Sequence, residues 1–179
     1  MADYLFYWRN DTVERHHGGI LEHAAGEQLG KVQRGDTLWI VTYQSGKLYL
    51  VGRFVVGQVV SQEAASRILG TEDLWEATYH VIAEYNTATP MVHLELDAIA
   101  PLFRFVGGVG RLPEDYTALS FRSMRRLMPE STALLSEYWD ASVGETAVPI
   151  TISSQGESGT SQGFVSSTEV RIAIELYAM

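Results

Sequence analysis

Flat aromatic side chains in this sequence lie outside any long predicted helix and could stack on a planar ligand. Polar side chains that could bond to the edge of such a ligand lie close to them along the chain. The aromatic residues are Tyr7, Trp8, Trp39, Tyr43, Trp75 and Tyr79, and the polar ones are Asn10, His23, Thr42 and His80. Beside His23, Ala24 is small enough for a ligand or a packed strand to come close. Large aromatic rings are also typical of a hydrophobic core, so the set predicts either a binding site or a core.

Arginine is concentrated between residues 104 and 126. This stretch has a local charge of +3, whereas the rest of the chain carries −12. Its arginines are Arg104, Arg111, Arg122, Arg125 and Arg126. The last three have the spacing i, i+3 and i+4, which predicts one stripe on a helix over residues 120–128. Because guanidinium groups favour bidentate contacts with phosphate, the stripe is a candidate surface for a nucleic-acid backbone. A solvated face paired with Glu130 and Glu137 is the alternative.

Several catalytic and metal-binding classes are excluded or disfavoured. Cysteine is absent, which excludes disulfide scaffolds, thiolate metal sites and cysteine nucleophiles. His16 and His17 are adjacent and point to different faces, so they predict no metal site together with His23. Residues 107–110 (GGVG) lack the Lys-Ser/Thr of a phosphate loop, and residues 156–159 (GESG) lack the spacing of a nucleophile elbow. The sequence therefore predicts no catalytic residue, no metal and no cofactor.

Composition predicts an acidic globular protein. Of the 179 residues, 46% are hydrophobic and 20% are charged, with a net charge of −9. This mixture excludes wholesale disorder, and the acidity argues against non-specific binding to nucleic acid. No apolar run is long enough to span a membrane, and the N-terminus lacks the pattern of a signal peptide. We therefore expect a cytoplasmic protein with no membrane partner.

The pattern of apolar residues and turn signals predicts about six strands and several short helices. The predicted strands cover residues 3–8, 37–43, 48–60, 78–85, 91–96 and 103–106. The predicted helices cover residues 20–29, 62–69, 98–102, 120–128 and 129–139, and Asn10, Asp11 and Thr12 are predicted as a turn and a possible helix cap. Because the strands mostly follow one another along the chain, we expect an α+β domain with a mainly antiparallel, barrel-like sheet flanked by short helices.

The composition changes after residue 140. Residues 141–163 are rich in Ser, Gly and Thr, which is typical of a flexible linker. Residues 164–179 become periodic again, with Val170, Ile174 and Tyr177 on one face of a predicted amphipathic helix. The expected organisation is one domain over residues 1–140, a linker, and a helix that begins a truncated second domain or docks elsewhere.

The order of these elements resembles the EVE-like branch of the PUA superfamily. The resemblance lies in an aromatic strand (YLFYW), the segment HAAGEQL, the strand VQRGDTLWIVT and a strand interrupted by glycine (LYLVGRFVVGQVV), followed by Leu102-Phe103-Arg104-Phe105 and Arg125-Arg126-Leu127. It covers roughly residues 3–140. The tail QGFVSSTEVRIAIELYAM resembles the entry into the C-terminal domain of certain bacterial restriction-like proteins. Together they imply a PUA-like fold and a module that recognises a modified base for a separate nuclease domain.

We therefore expect a non-catalytic domain that binds double-stranded DNA carrying a modified base, with that base extruded into an aromatic pocket. The candidate pocket residues are Tyr7, Trp8, Asn10, His23, Ala24, Trp39, Thr42 and Trp75, and the candidate backbone contacts are Arg104, Arg122, Arg125 and Arg126. Two alternatives remain open. One is a PUA-like protein that acts on RNA or a modified nucleoside, for which Lys31 and Lys47 are the available lysines; the other is an acidic protein-interaction module.

Overall fold

The computed structural model describes residues 1–108 and 110–144. Its helices are α1 (Asn10–Arg15), α2 (Gln62–Leu69) and α3 (Pro129–Gly144), and short 3-10 helices cover Glu27–Lys31, Ala100–Leu102 and Ala118–Phe121. Its strands are β1 (Asp3–Tyr7), β2 (Ile20–Leu21), β3 (His23–Ala25), β4 (Thr37–Gln44), β5 (Lys47–Val60), β6 (His80–Ala83), β7 (Thr89–Pro90), β8 (Leu94–Glu95) and β9 (Arg125–Arg126). No helix in this part of the chain is long and apolar enough to cross a membrane.

Most strands join one sheet in the order β3-β6-β5-β4-β1-β9, and β8 pairs with β5. The pairing of β1 with β4 is parallel, whereas the other pairings in this sheet are antiparallel. Strands β2 and β7 form a separate two-stranded sheet. The described residues therefore form a mixed α+β fold with a mainly antiparallel sheet and few helices, which confirms the predicted class.

The β4–β5 hairpin is the centre of the sheet. Its turn, Ser45-Gly46, has positive φ at both residues (51° and 86°), the backbone geometry that matches the twist of two-residue hairpins. Side chains alternate along a strand, and in β4 both faces are buried. Leu38 and Ile40 lie on one face and Trp39 and Val41 on the other, so the sheet separates two hydrophobic cores.

The two cores are named here by the elements that cover them. The β3-side core contains Phe6, Ala24, Leu29, Leu38, Ile40 and Phe54. The α3-side core contains Leu5, Trp39, Val41, Phe103, Leu135 and Trp139. The sequence pattern of β4 did not reveal that α3 and residues 96–127 would bury its second face.

The helix predicted over residues 20–29 is wrong. The segment forms β2, β3 and the 3-10 helix Glu27–Lys31. Leu21, Ala24 and Leu29 are all buried, and their spacing imitates a helical face although β3 pairs with β6. His23 therefore lies on a strand rather than on a helix.

The helix predicted over residues 120–128 is also wrong. Residues Ala118–Phe121 form a 3-10 helix, and Arg125–Arg126 form β9, paired with β1. Neighbouring residues of a strand point to opposite faces, so Arg122, Arg125 and Arg126 do not form a helical stripe. The prediction failed because it took local spacing as decisive where pairing with β1 determines the backbone.

Other predicted boundaries changed less. The strands at 37–43 and 48–60 and the helix at 62–69 match β4, β5 and α2 closely. The helix predicted at 98–102 is a 3-10 helix, and residues Arg104 and Phe105 form isolated bridges instead of a strand. Helix α3 extends to Gly144, so the first residues assigned to the linker are helical. The remainder of that linker and the helix predicted at 164–179 lie outside the described residues.

Candidate functional site

A cavity of about 350 Å³ lies where the C-terminal end of β1 meets α1, β2, β3 and the segment after α2. Four of the predicted pocket residues line it: Tyr7, Trp8, His23 and Trp75. The volume is at the lower end of the range of roughly 300–1,000 Å³ that is usual for small-molecule sites. Three separated parts of the chain thus bring aromatic rings to one concave surface.

Strand β1 places Tyr7 and Trp8 at the cavity. The Trp8 backbone N–H donates to the Val41 carbonyl at 2.8 Å, which continues the parallel pairing of β1 with β4. The Tyr7 ring stacks on Phe121 with a centroid separation of 6.4 Å, and the Trp8 ring lies 6.0 Å from the ring of His16. Both side chains are half-buried. They are therefore held in place by their neighbours but remain partly accessible to a ligand.

Trp75 lies on an irregular segment that is tied to the fold on both sides of the residue. Helix α2 ends at Gly70, whose φ of 68° is the left-handed conformation that glycine adopts easily. The Ala77 N–H donates to the Gln62 Oε1 atom at 3.2 Å, and the Thr78 N–H donates to Glu27 Oε1 at 2.7 Å. This last hydrogen bond lowers the pKa of the Glu27 carboxyl. The Trp75 side chain itself stays 51% exposed, as is suitable for a ring that a ligand could cover.

Gly30 fixes the same segment from the 3-10 helix. A Cβ atom on this residue would lie 2.7 Å from the Tyr79 ring, so any larger residue here would displace that ring. The Gly26 N–H also donates to the Tyr79 carbonyl at 3.0 Å.

His23 forms the polar wall of the cavity through a pair with His80. In the β3–β6 register His23 is opposite Ile82, and His80 is two residues away on the same face. The His23 Nε2 and His80 Nδ1 atoms are 2.9 Å apart, and the His80 Nε2 atom is 3.2 Å from the Ala77 carbonyl oxygen. His80 is fully buried, whereas His23 is partly open to the cavity.

The hydrogen-bond partners determine which nitrogen atoms carry protons. A carbonyl oxygen only accepts, so His80 Nε2 carries a proton and donates to Ala77. In neutral His80 the Nδ1 atom is then an acceptor, and His23 Nε2 must donate to it. Burial, followed by the nearby His80 and His16, lowers the pKa of His23 to about 4, and burial also lowers the pKa of His80. Both imidazoles are therefore neutral at pH 7, and His23 Nδ1 is an acceptor.

That acceptor faces solvent rather than protein. Among the described residues, no buried side-chain nitrogen or oxygen atom lacks a hydrogen-bond partner. The hydrogen bonds of His23 in this part of the chain use only Nε2. Its Nδ1 atom is thus accessible, and since His23 lines the cavity, a ligand there could donate to it.

The charged groups at the cavity are few and of both signs. Arg9 lines it but pairs with Asp11 at 2.9 Å, whereas Glu22 and Asp73 contribute carboxylates to the lining. No group of three or more metal-ligating side chains occurs among the described residues. With His23 and His80 neutral, this lining favours an uncharged planar ligand over a phosphate group.

Asn10, Thr42 and Ala24 do not line the cavity, although the sequence placed them in the pocket. The buried Thr42 hydroxyl donates to Asn10 Oδ1 at 2.6 Å. This bond ties the start of α1 to β4, and α1 and the residue after it bring Thr12 and His16 to the cavity. Ala24 is fully buried in the β3-side core. These residues therefore support the site rather than form it.

Trp39 lies in the α3-side core, away from the cavity, because alternation along β4 puts it on the opposite face from Leu38 and Ile40. It is 1% exposed, and its Nε1 atom donates to Asp3 Oδ1 at 3.0 Å. The Arg53 guanidinium covers its ring at 4.9 Å and also lies 5.6 Å from the Trp139 ring. Every face and edge of this ring is thus used within the fold.

The predicted backbone arginines are split between two environments. Arg104 folds back, and its guanidinium donates to the Pro101 and Phe103 carbonyls. Arg125 lies over the Phe105 ring at 5.0 Å, and Arg122 and Arg126 are exposed. None of these four arginines forms an ion pair within residues 1–108 and 110–144.

The exposed arginines flank the strand that carries the cavity rings. β9 pairs with β1, and the Gln28 side chain bonds to the Arg122 carbonyl and the Met124 N–H. The segment from Phe121 to Arg126 is therefore fixed beside β1 and the 3-10 helix Glu27–Lys31.

Sequence reasoning missed two residues that line the cavity and the role of a third residue. Phe6 and His16 line the cavity, and His80, which the sequence offered only as a polar candidate, sets the protonation of His23. Phe6 resembled any core residue, and His16 resembled a solvated histidine. The pairing of His23 with His80 depends on the β3–β6 register, which the mistaken helix at 20–29 concealed.

Two of the solved structures that the chain matches are distant from it in sequence. A mutant of ZmASCH from Zymomonas mobilis is 10% identical, with a TM-score of 0.48 over 76% of this chain and 96% of its own. The ASCH protein of the same organism is 13% identical, with a TM-score of 0.39 over 76% of this chain and 94% of its own. At these scores the likeness supports no conclusion about function. No family model matches the chain, and no curated protein matches it.

Proposed function

We propose that this chain is a non-catalytic, PUA-like recognition domain that binds a modified nucleobase of DNA, with the base turned out of the duplex into the cavity beside Trp8, His23 and Trp75. The observation that carries the proposal is the convergence of these rings from β1, β3 and the segment after α2 on one cavity. A base inside a duplex is covered by its neighbours, so it must leave the stack to reach such a site.

The chemistry of the lining supports a base rather than a phosphate or a sugar. Stacking on aromatic side chains contributes about 1–3 kcal/mol per base, which is comparable with the few kcal/mol needed to unstack one. Leu69, Leu74 and Met91 add apolar surface to the cavity. A methyl group on the base would find such a surface favourable by about 0.8 kcal/mol if fully buried.

Arginines outside the cavity provide the complementary half of the interface. We propose that Arg122 and Arg126 contact phosphates beside the extruded base, because they are exposed, lack ion-pair partners in the described chain and flank β1. Confining positive charge to this strip would allow specific binding although the whole chain carries −9. A nuclease domain beyond the described residues would then use the recognised base to direct cleavage.

The alternative of nucleoside hydrolysis has less support. Lys47 pairs with Glu95 at 2.7 Å on the exposed β5–β8 edge, and neither Lys47 nor Lys31 lines the cavity. The aromatic cavity therefore lacks the lysine on which that alternative depends.

The test is binding to matched DNA duplexes that carry cytosine, 5-methylcytosine, 5-hydroxymethylcytosine, adenine or N6-methyladenine at one position, at two salt concentrations. We expect one modified duplex to bind more tightly than its unmodified match. Trp75→Ala should weaken that binding by about 1–3 kcal/mol. Replacing Arg122 and Arg126 with Gln should reduce the salt dependence by about one phosphate contact each.

Tyr85→Ala is the matched control, because Tyr85 is an aromatic residue that is 88% exposed and does not line the cavity. It should bind as the wild type does. Equal and steeply salt-dependent binding to every duplex, unaffected by Trp75→Ala, would overturn the proposal. If the protein prefers the same bases in RNA, the pocket is retained but its nucleic-acid partner is RNA and not DNA.

A further inference from the structure

The His23–His80 pair gives the cavity an uncharged hydrogen-bond acceptor whose tautomer is fixed. Hydroxyl groups rotate, and an unpartnered histidine can exchange tautomers. His23 has no such freedom, because its Nε2 proton is held by His80 and the His80 proton is held by the Ala77 carbonyl. The result is a relay of hydrogen bonds with one direction. A ligand in the cavity would donate to His23 Nδ1, His23 Nε2 donates to His80 Nδ1, and His80 Nε2 donates to the Ala77 carbonyl oxygen.

The relay ends at a fixed point of the fold. The Ala77 N–H donates to Gln62 Oε1, and the Thr78 N–H donates to Glu27, so the carbonyl that ends the relay is held by α2 and the 3-10 helix. The β3–β6 pairing sets the distance between the two rings, which are 5.1 Å apart at their centroids and 14° from parallel. Neither imidazole can turn over without breaking a bond in this chain.

We infer that the cavity selects a base that presents the N–H of an exocyclic amino group to His23 Nδ1, as adenine and cytosine types do when that group keeps at least one hydrogen. Glu22 adds a carboxylate acceptor to the lining. A thymine or uracil type has only its ring N3–H as a donor, and the carbonyl oxygens on either side of it would then face these acceptors, which is unfavourable in a closed site. This inference rests on the proposed function and specifies its ligand.

The test compares bases that differ only in the amino group. Adenine is matched with purine, and cytosine with its 4-deamino analogue, each placed opposite an abasic site so that no base pair has to be broken. The amino-bearing base of each pair should bind roughly 3- to 10-fold more tightly, the range of one net hydrogen bond. In His23→Phe the ring remains but the acceptor is lost, so the difference within each pair should fall below about twofold.

A second measurement does not depend on any variant. Nitrogen-15 NMR of the imidazoles in the free protein at pH 7 should show His23 protonated at Nε2 and bare at Nδ1, and the Nδ1 resonance should move when the adenine duplex is added. A proton on Nδ1 would overturn the inference even if His23→Phe fails to fold.

The outcomes separate this inference from the proposed function. Equal binding of adenine and purine, with both weakened by Trp75→Ala, would overturn the selection by His23 and leave the aromatic pocket in place. If none of the duplexes that carry a test base binds more tightly than a duplex that lacks this base, the proposed function itself is wrong. Discrimination that persists in His23→Phe would assign selection to another residue.

Discussion

Tryptophan side chains lie on both sides of the central sheet, but they differ in how far they are exposed and bonded. On the α3 side, Trp39 has its N–H bonded to Asp3, its ring covered by Arg53 and its surface 1% exposed. On the β3 side, Trp8 is half-buried and Trp75 is 51% exposed, and both line a cavity. The difference shows that a tryptophan is enclosed in a core where the fold occupies its polar edge and both faces of its ring, and lines a cavity where the fold leaves part of the ring uncovered.

Replacement of Trp39 gives the largest expected effect and tests this comparison directly. Trp39→Ala should lower the free energy of unfolding by about 3–5 kcal/mol, because it leaves a cavity in the α3-side core and Asp3 without its donor. Urea denaturation measures this change. Trp75→Ala should change the same quantity by less than about 0.5 kcal/mol. Equal losses of stability in the two variants would contradict the contrast between the two faces.

The pH dependence of stability gives the next largest effect and concerns the β3 side. The pKa of His23 is about 4 in the folded protein against 6.5 as its ordinary value, so the unfolded chain binds the proton first as the pH falls. Stability is fully present above pH 6.5 and is lost progressively down to pH 4, by an amount on the order of 2–3 kcal/mol.

The matched variant for this measurement is His23→Phe. Carboxyl groups also titrate near pH 4, so the useful quantity is the difference between the two unfolding curves from pH 7 to pH 4. The variant should show the shallower decline over that interval. Parallel curves would mean that His23 is charged in the folded protein, and the one-directional pairing with His80 would then be wrong.

The smallest expected effect concerns the connection between α1 and β4. Thr42→Val removes the hydroxyl that donates to Asn10 and should cost about 1 kcal/mol of stability. In a double-mutant cycle with Asn10→Ala, the second substitution should add little once the first is present, since both remove one bond. Full additivity of the two losses would show that the pair does not act as a unit. Binding in the single variants should weaken only slightly, because neither residue lines the cavity.

The sequence predicted the long elements and four of the residues that line the candidate cavity, for reasons that the structure makes plain. Strands β4 and β5 and helix α2 have strong local patterns, including the Ser61 and Gly70 caps of α2. Trp8 and Trp75 could be predicted because each lies at the end of an element or in a loop. Trp39 was placed wrongly because alternation within β4 gives the face of a residue and does not say what covers that face.

The remaining errors come from pairing between distant segments. Arg125 and Arg126 have helical spacing to Arg122, yet β1 draws them into a strand. His23 was assigned to a helix because Leu21, Ala24 and Leu29 have a helical spacing, although β6 pairs with that segment. Neither β1–β9 nor β3–β6 pairing is encoded near the residues it determines, so single-sequence reasoning could not find the relay of histidines.

The position of β1 between β4 and β9 also has consequences for synthesis of the chain and for truncated fragments of it. β1 leaves the ribosome before either of its neighbours, because its parallel neighbour is β4 (Thr37–Gln44) and its other neighbour is β9 (Arg125–Arg126). During synthesis the edge of β1 (Asp3–Tyr7) that pairs with β9 therefore stays unpaired until more than a hundred further residues have been made. A fragment that stops before Arg125 would keep that edge unpaired. An exposed strand edge that carries aromatic residues can pair with another chain, so we expect such a fragment to aggregate.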